Sequence, residues 1–130
     1  MGDYDRAIQN YDLALALAAI VPGDRQGEIY LDRGLSYLMQ EEIEAAIADF
    51  TQAIAWQKNS DRAYYNRACA YSRGGGLREA IADFTQALAI NPNLSEAYAS
   101  RGFLRHQLGW ERGALEDLAI ASRHFQQQGN

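Results

Sequence analysis

Few side chains in this chain could do chemistry, and none stands at a spacing that organises a reaction. Cys69 is the sole cysteine, and the two histidines, His106 and His124, lie eighteen positions apart. Metal sites draw ligands from close, paired spacings, which neither histidine has. A thiol becomes a nucleophile where a cation or a helix start lowers its pKa. Cys69 instead sits mid-helix among apolar neighbours, which predicts a packed or groove-lining group. Gly74-Gly75-Gly76 could cradle a phosphate only between a strand and a Lys-Ser/Thr pair, and it has neither. No serine stands in a nucleophile-elbow setting. Glu41-Glu42 and Glu116-Asp117 read as solvated helix starts rather than acid/base pairs. The expectation is a chain that is not an enzyme and that holds no metal or cofactor.

One charged pattern does recur. Arg33, Arg67 and Arg101 are each followed sixteen residues later by Asp49, Asp83 and Asp117. Recurrence of both partners predicts an ion pair between the helices of a hairpin or with the adjacent unit. Arginine can lay its stem on apolar surface and fork onto a carboxylate. The expected role is register and specificity, with modest net stability.

The elements that position these residues follow from a repeat. AIADFTQA stands at Ala46–Ala53 and again at Ala80–Ala87, an offset of 34 residues, and the looser ALEDLAIA begins another 34 on, at Ala114. A fixed period of this size means stacked supersecondary units. The second helix of each unit carries constant columns: Ala7, Ala46, Ala80, Ala114; Tyr11, Phe50, Phe84, Leu118; Ala14, Ala53, Ala87, Ala121. They fall on one helical face, small, large, small, so a neighbouring helix can approach around one bulky plug. The first helices carry Tyr30, Tyr64, Tyr98; Gly34, Ala68, Gly102; and Tyr37, Tyr71, Arg105. The small middle residue marks where the two helices of a hairpin cross. Gly74-Gly75-Gly76 and Gly109 are expected as left-handed C-caps, Asn91-Pro92-Asn93 as a unit boundary, and Ser60 and Ser95 as N-caps.

These columns resemble the tetratricopeptide repeat, a 34-residue helix–turn–helix unit. The resemblance implies an all-α, right-handed α–α superhelix, or solenoid, of seven helices in a single domain, 1–130. Residues 27–60, 61–94 and 95–128 are full repeats, and 1–26 is a half repeat, a second helix only, plus loop. Five extra residues in that first part are assigned partly to a longer helix through Leu17–Ile20 and partly to the loop Pro22–Gln26. The chain departs from the pattern at Arg105, in place of a tyrosine, at Glu41, where other units place a turn glycine, and at Lys58 and Gln126, where proline is usual. These departures predict a less regular first turn and a fraying last helix.

The leading helix has no partner before it, so its face of Tyr4, Ile8, Tyr11 and Leu15 is uncovered. Three readings stand: a piece excised from a longer protein, self-association through this uncapped N-terminal helix, or a ragged natural start. The net charge of −5 argues against a nucleic-acid partner and against an anionic membrane surface. The longest apolar run, Leu13–Val21, is too short to span a membrane. One cysteine and the absence of a signal-peptide pattern predict the cytoplasm.

Columns that fail to repeat are the functional clue. On the first helices one face reads Glu28, Leu31, Leu35, Leu38; then Arg62, Tyr65, Cys69, Ser72; then Glu96, Ala99, Phe103, His106. In the family that this chain resembles, that face lines a concave groove for peptides or helices. The predicted groove residues are Leu31, Leu35, Arg62, Tyr65, Asn66, Cys69, Arg73, Phe103 and His106, with Glu28 or Glu96 open to a basic ligand end. Part of the face is also expected to pack on a neighbouring first helix. The subclass that takes acidic chaperone tails uses a Lys/Asn/Arg clamp. Here Leu31, Leu35, Glu96 and Ser100 stand at clamp positions and only Asn66 fits, which disfavours that ligand. The function implied is a non-catalytic interaction scaffold or adaptor. The alternatives are a regulatory or docking segment of a larger multidomain protein or enzyme, and an RNA-binding hairpin array, which expects a basic groove.

Overall fold

A computed structural model describes residues 2–16 and 23–129, and of Asp24 the backbone alone. The described residues form seven helices: α1 (Gly2–Ala16), α2 (Gly23–Met39), α3 (Ile43–Trp56), α4 (Asp61–Arg73), α5 (Leu77–Ile90), α6 (Ser95–Gln107) and α7 (Glu111–Gln128). Helices α2 and α3, α4 and α5, and α6 and α7 pair as hairpins, each hairpin packs on the next, and α1 lies against α2. The result is an all-α solenoid.

The small–large–small columns make the core. Ala46, Phe50 and Ala53 are buried, as are Ala80, Phe84 and Ala87. Gly34 is needed where α2 crosses α3, since a Cβ there would stand 2.7 Å from the Phe50 ring. On α7 the column stays half-covered: Ala114 and Ala121 are buried, but Leu118 is 41% exposed.

Between the hairpins runs a ladder of arginines. Arg67 on α4 forks through Nε and Nη2 onto both carboxylate oxygens of Asp83 on α5, at 2.7 and 2.8 Å. Its Nη1 reaches back to Thr51 on α3, at 3.1 Å. The Thr51 hydroxyl in turn donates to the Ile47 carbonyl. Arg101 repeats the arrangement with Asp117 and Thr85, and Arg33 with Asp49 and, at 2.7 Å, Asp12 of α1. Each arginine thus ties three helices. The flanking tyrosine columns stack on the guanidinium: Tyr30 and Tyr37 on Arg33, Tyr64 and Tyr71 on Arg67. In the last unit Arg105 takes the place of the second tyrosine and adds a further bond to Asp117, at 2.9 Å.

The turns correct several expectations. Gly75 and Gly109 adopt positive φ, 86° and 80°, and so does Glu41, at 62°. The same closing bond forms in all three units: Glu42 N–H to the Tyr37 carbonyl, Gly76 to Tyr71 and Trp110 to Arg105. The first turn is therefore as regular as the others, because these bonds and the packing of the hairpin hold Glu41 in a conformation that L-residues resist. Ser60 caps α4 by accepting from the Ala63 N–H, whereas Ser95 is the first residue inside α6 and Leu94 holds the cap position. Buried Ser95 instead bonds His124 and Gln128, pinning α7 to α6. Helix α7 continues unfrayed through Gln128. Residues 23–26 are not loop but the first turn of α2, laid against α3, where Gln26 is buried and Trp56 and Gln57 crowd Gly23 and Gly27. The proposed helix extension Leu17–Ile20 and the loop's first residue, Pro22, lie outside the described residues.

On α1 no residue is buried. Tyr4 and Leu13 are exposed, while Ile8, Tyr11 and Leu15 are half-covered.

Two measurements test this account. Arg67→Ala leaves Asp83 buried without its cation and is expected to cost about 3–5 kcal/mol in urea unfolding. A double-mutant cycle with Asp83→Ala should return a coupling of at least ~1.5 kcal/mol, and additivity would show that the pair is incidental. Glu41→Gly removes the left-handed penalty and should raise stability by about 0.5–1 kcal/mol, whereas a loss would mean that the Glu41 side chain contributes to the turn.

Candidate functional site

The α4–α6 seam holds two recesses. The first, of about 240 Å³, is lined by Asp61, Arg62, Tyr65 and Asn66 of α4, by Leu94, and by Glu96 of α6. The second, of about 220 Å³, is lined by Cys69, Ser72 and Arg73 of α4, by Ser100, Phe103 and Leu104 of α6, and by Phe84 of α5. Helical spacing puts Arg62, Tyr65, Asn66, Cys69 and Arg73 along one side of α4, three, four or seven residues apart. Six of the nine residues expected to face a ligand therefore meet on one seam.

The other three do not. Leu31 is 4% exposed and belongs to the core beside Leu38, Ala63 and Ala70. Large leucines of α2 and alanines of α4 share this cluster, so the α2–α4 seam is filled. Leu35 is half-buried against the same cluster and lines neither recess. His106 pairs across the α6–α7 turn with Glu111, its Nδ1 at 2.9 Å from Oε1, and also lines neither. Ala99, one turn before Phe103, lies at the other edge of that face, toward Leu118 and Phe125 of α7. Four lining residues were not singled out from sequence: Asp61, Leu94, Phe84 and Leu104. Phe84 and Leu104 belong to the buried scaffold, and Asp61 and Leu94 flank helix starts, so no variable-face pattern marks them.

The electrostatics of the seam follow from its partial burial. Removal from water is the main force pushing the Tyr65 phenol up to about 12, with the Cys69 thiol and the Glu96 carboxylate adding to it. The Tyr65 ring meets Phe84 edge-on, with centroids 5.5 Å apart. Burial also pushes the Cys69 thiol up, against a hydrogen bond with Tyr65 and the charge of Arg73. A thiol held neutral in this way is a packing group and a weak hydrogen-bonding partner, not a nucleophile. Arg73 donates from Nη1 to the Leu38 carbonyl at 3.3 Å, at the end of α2. Phe103 is 57% exposed, a large apolar side chain held at the surface. Among the described residues no helix is long and apolar enough to cross a membrane. The seam can offer apolar contact, guanidinium and carboxylate groups, and the amide of Asn66.

The chain is similar to solved helical-repeat structures. The second TPR domain of Spaghetti (RPAP3), bound to the HSP90 peptide SRMEEVD, is 32% identical with a TM-score of 0.73, over 75% of this chain and 91% of that one. A MamA crystal structure is 25% identical with a TM-score of 0.77, over 82% of this chain, which spans 62% of that MamA chain. The Arabidopsis OM64 TPR domain, 24% identical with a TM-score of 0.78 over 82% of this chain and 88% of its own, shares the fold. Among curated proteins none matches significantly. Family models of the tetratricopeptide repeat match residues 27–60 and 61–94, together more than half of the chain. The chain belongs to the tetratricopeptide repeat family and is a module of protein-interaction type.

Proposed function

We propose that the α4–α6 seam is a groove that takes a peptide or helical segment of a partner protein, and that the chain serves as a non-catalytic scaffold in the cytoplasm. The observation that carries this reading is the pairing of two adjacent recesses with an exposed Phe103 and a half-buried Tyr65 on their walls. Aromatic side chains and arginines are frequent anchors of binding interfaces, and contiguous exposed apolar surface marks interaction sites. The two Spaghetti TPR domains, solved with an HSP90 peptide, support a peptide as the occupant. An acidic chaperone tail fits this chain less well, because Glu96 stands in the seam and Leu31 is buried away from it. A docking role inside a larger protein would use the same seam.

Selection of a random displayed peptide library on the folded protein, followed by fluorescence anisotropy, tests the groove. Tyr65→Ala with Phe103→Ala should weaken the selected peptides at least tenfold, about 1.4 kcal/mol, with the circular dichroism spectrum retained. Phe103→Ala alone, at an exposed position, gives the same direction without a folding cost. Binding at wild-type strength by both variants would place the site elsewhere.

Tyr65 adds a proton-linked signature. Its folded pKa lies above the ordinary value of 10.0, so its contribution to stability is complete below about pH 10 and is lost as pH rises toward about 12. The phenolate absorbance of the wild type minus that of Tyr65→Phe should show a midpoint near 12, whereas a midpoint near 10 would mean that the phenol is solvated.

A further inference from the structure

The open seam carries opposite charges at its two ends. At the start of α4 the first recess is lined by the carboxylates of Asp61 and Glu96 and by a single guanidinium, Arg62. Arg62 also acts on Asp32 of α2, which has Glu28 as a further neighbour. Asp32 of α2 and the recess's own Asp61 and Glu96 thus lie near Arg62, while Glu28 pairs with Arg25 at 3.5 Å. Asp61 accepts a hydrogen bond from the Asn91 amide. At the end of α4, Arg73 is the sole charged residue of the second recess, among Cys69, Phe84, Phe103 and Leu104. Among the described residues neither Glu96 nor Arg73 forms an ion pair. The acidic end and the cationic end are separated by the length of α4 from Arg62 to Arg73, about 16 Å at helical rise. An extended peptide covers that distance in about five residues.

Resting on the groove reading above, we propose that the seam selects an extended peptide with a charge polarity. The peptide carries a Lys or Arg at one end and, about five positions away, an acidic residue beside a large apolar one. The base sits against Glu96 and Asp61. The apolar side chain enters the recess over Phe84 and against Phe103, and the acid meets the fork of Arg73. Partly buried opposite charges of this kind set orientation and discriminate between partners, and a guanidinium can grip a carboxylate through two parallel bonds. A uniformly acidic peptide would bring like charge against Glu96, and a uniformly basic one against Arg73.

The displayed random peptide library tests this directly. Enriched peptides should carry the base and the acid–apolar pair about five positions apart. A synthetic peptide of that pattern should lose at least tenfold in affinity with Arg73→Glu and with Glu96→Lys, measured at moderate salt. Arg73→Gln removes the charge without reversing it and should lose binding in the same direction. The double variant R73E/E96K should prefer the charge-swapped peptide, provided its circular dichroism spectrum matches wild type. Enriched peptides that need Tyr65 and Phe103 but carry no such pattern would overturn the polarity and leave the groove standing. Peptides indifferent to Tyr65→Ala/Phe103→Ala, or a library that yields none, would overturn both.

Discussion

The fork of each arginine onto a buried aspartate is the contact on which the rest of this solenoid depends. Asp49, Asp83 and Asp117 are nearly inaccessible to water, and a carboxylate in that setting is tolerated only with a cation and full hydrogen bonding. Arginine meets both demands at once and has one nitrogen left over. That nitrogen reaches the preceding hairpin, so the bond that closes one unit also stacks it on its neighbour. The spacing to the earlier partner is 16 residues for Arg67 and Arg101 and 21 for Arg33. The five extra residues of the first part therefore leave the ladder intact, with Asp12 standing where later units have threonine. Tyrosine rings against the guanidinium cover its faces without competing for its donors.

With register held by the ladder, the outward side of the first helices is free to vary. The two seams between first helices show the consequence. Leu31 and Leu38 share a core with Ala63 and Ala70, and that seam is closed. One unit later Tyr65 and Ser72 occupy the corresponding positions, and the seam opens into two recesses. A serine in place of a leucine removes the apolar bulk that would fill the second recess, and the Phe84 ring becomes its floor. At the second recess, open surface is thus what remains when a side chain of one helix is too small to fill the hollow beside the next.

Much of this was legible from sequence, residue by residue. The arginine and aspartate columns could be paired because both recur at one period, and Gly34 and Gly102 mark helix crossings, where a Cβ would stand 2.7 Å from Phe50 and 3.0 Å from Asp117 and Leu118 respectively. Other features were hidden for physical reasons. Glu41 looks unsuited to a turn, but the turn is held by backbone hydrogen bonds and hairpin packing, which carry the residue into a left-handed conformation. Ser95 looks like a cap, but it stands one residue inside α6 and its hydroxyl bonds His124, which lies almost thirty residues away. His106 belongs by spacing to the variable face, yet Glu111 on the next helix claims it.

The amino-acid sequence by itself determined the period, the pairing of helices into hairpins and the arginine and aspartate columns of the ladder, but not its contacts to Thr51, Thr85 and Asp12. The features so determined depend on residues repeated at fixed separations, and a helix converts separation into facing direction without outside help. Only the tertiary structure decided which apolar residues of the variable face are core and which are open. It also decided that acidic groups from three helices gather at one end of α4 while Arg73 stands alone at the other. The outcome at each position depends on the size and charge of side chains on a neighbouring helix, and no local spacing records how closely two helices approach or what the hollow between them leaves unfilled.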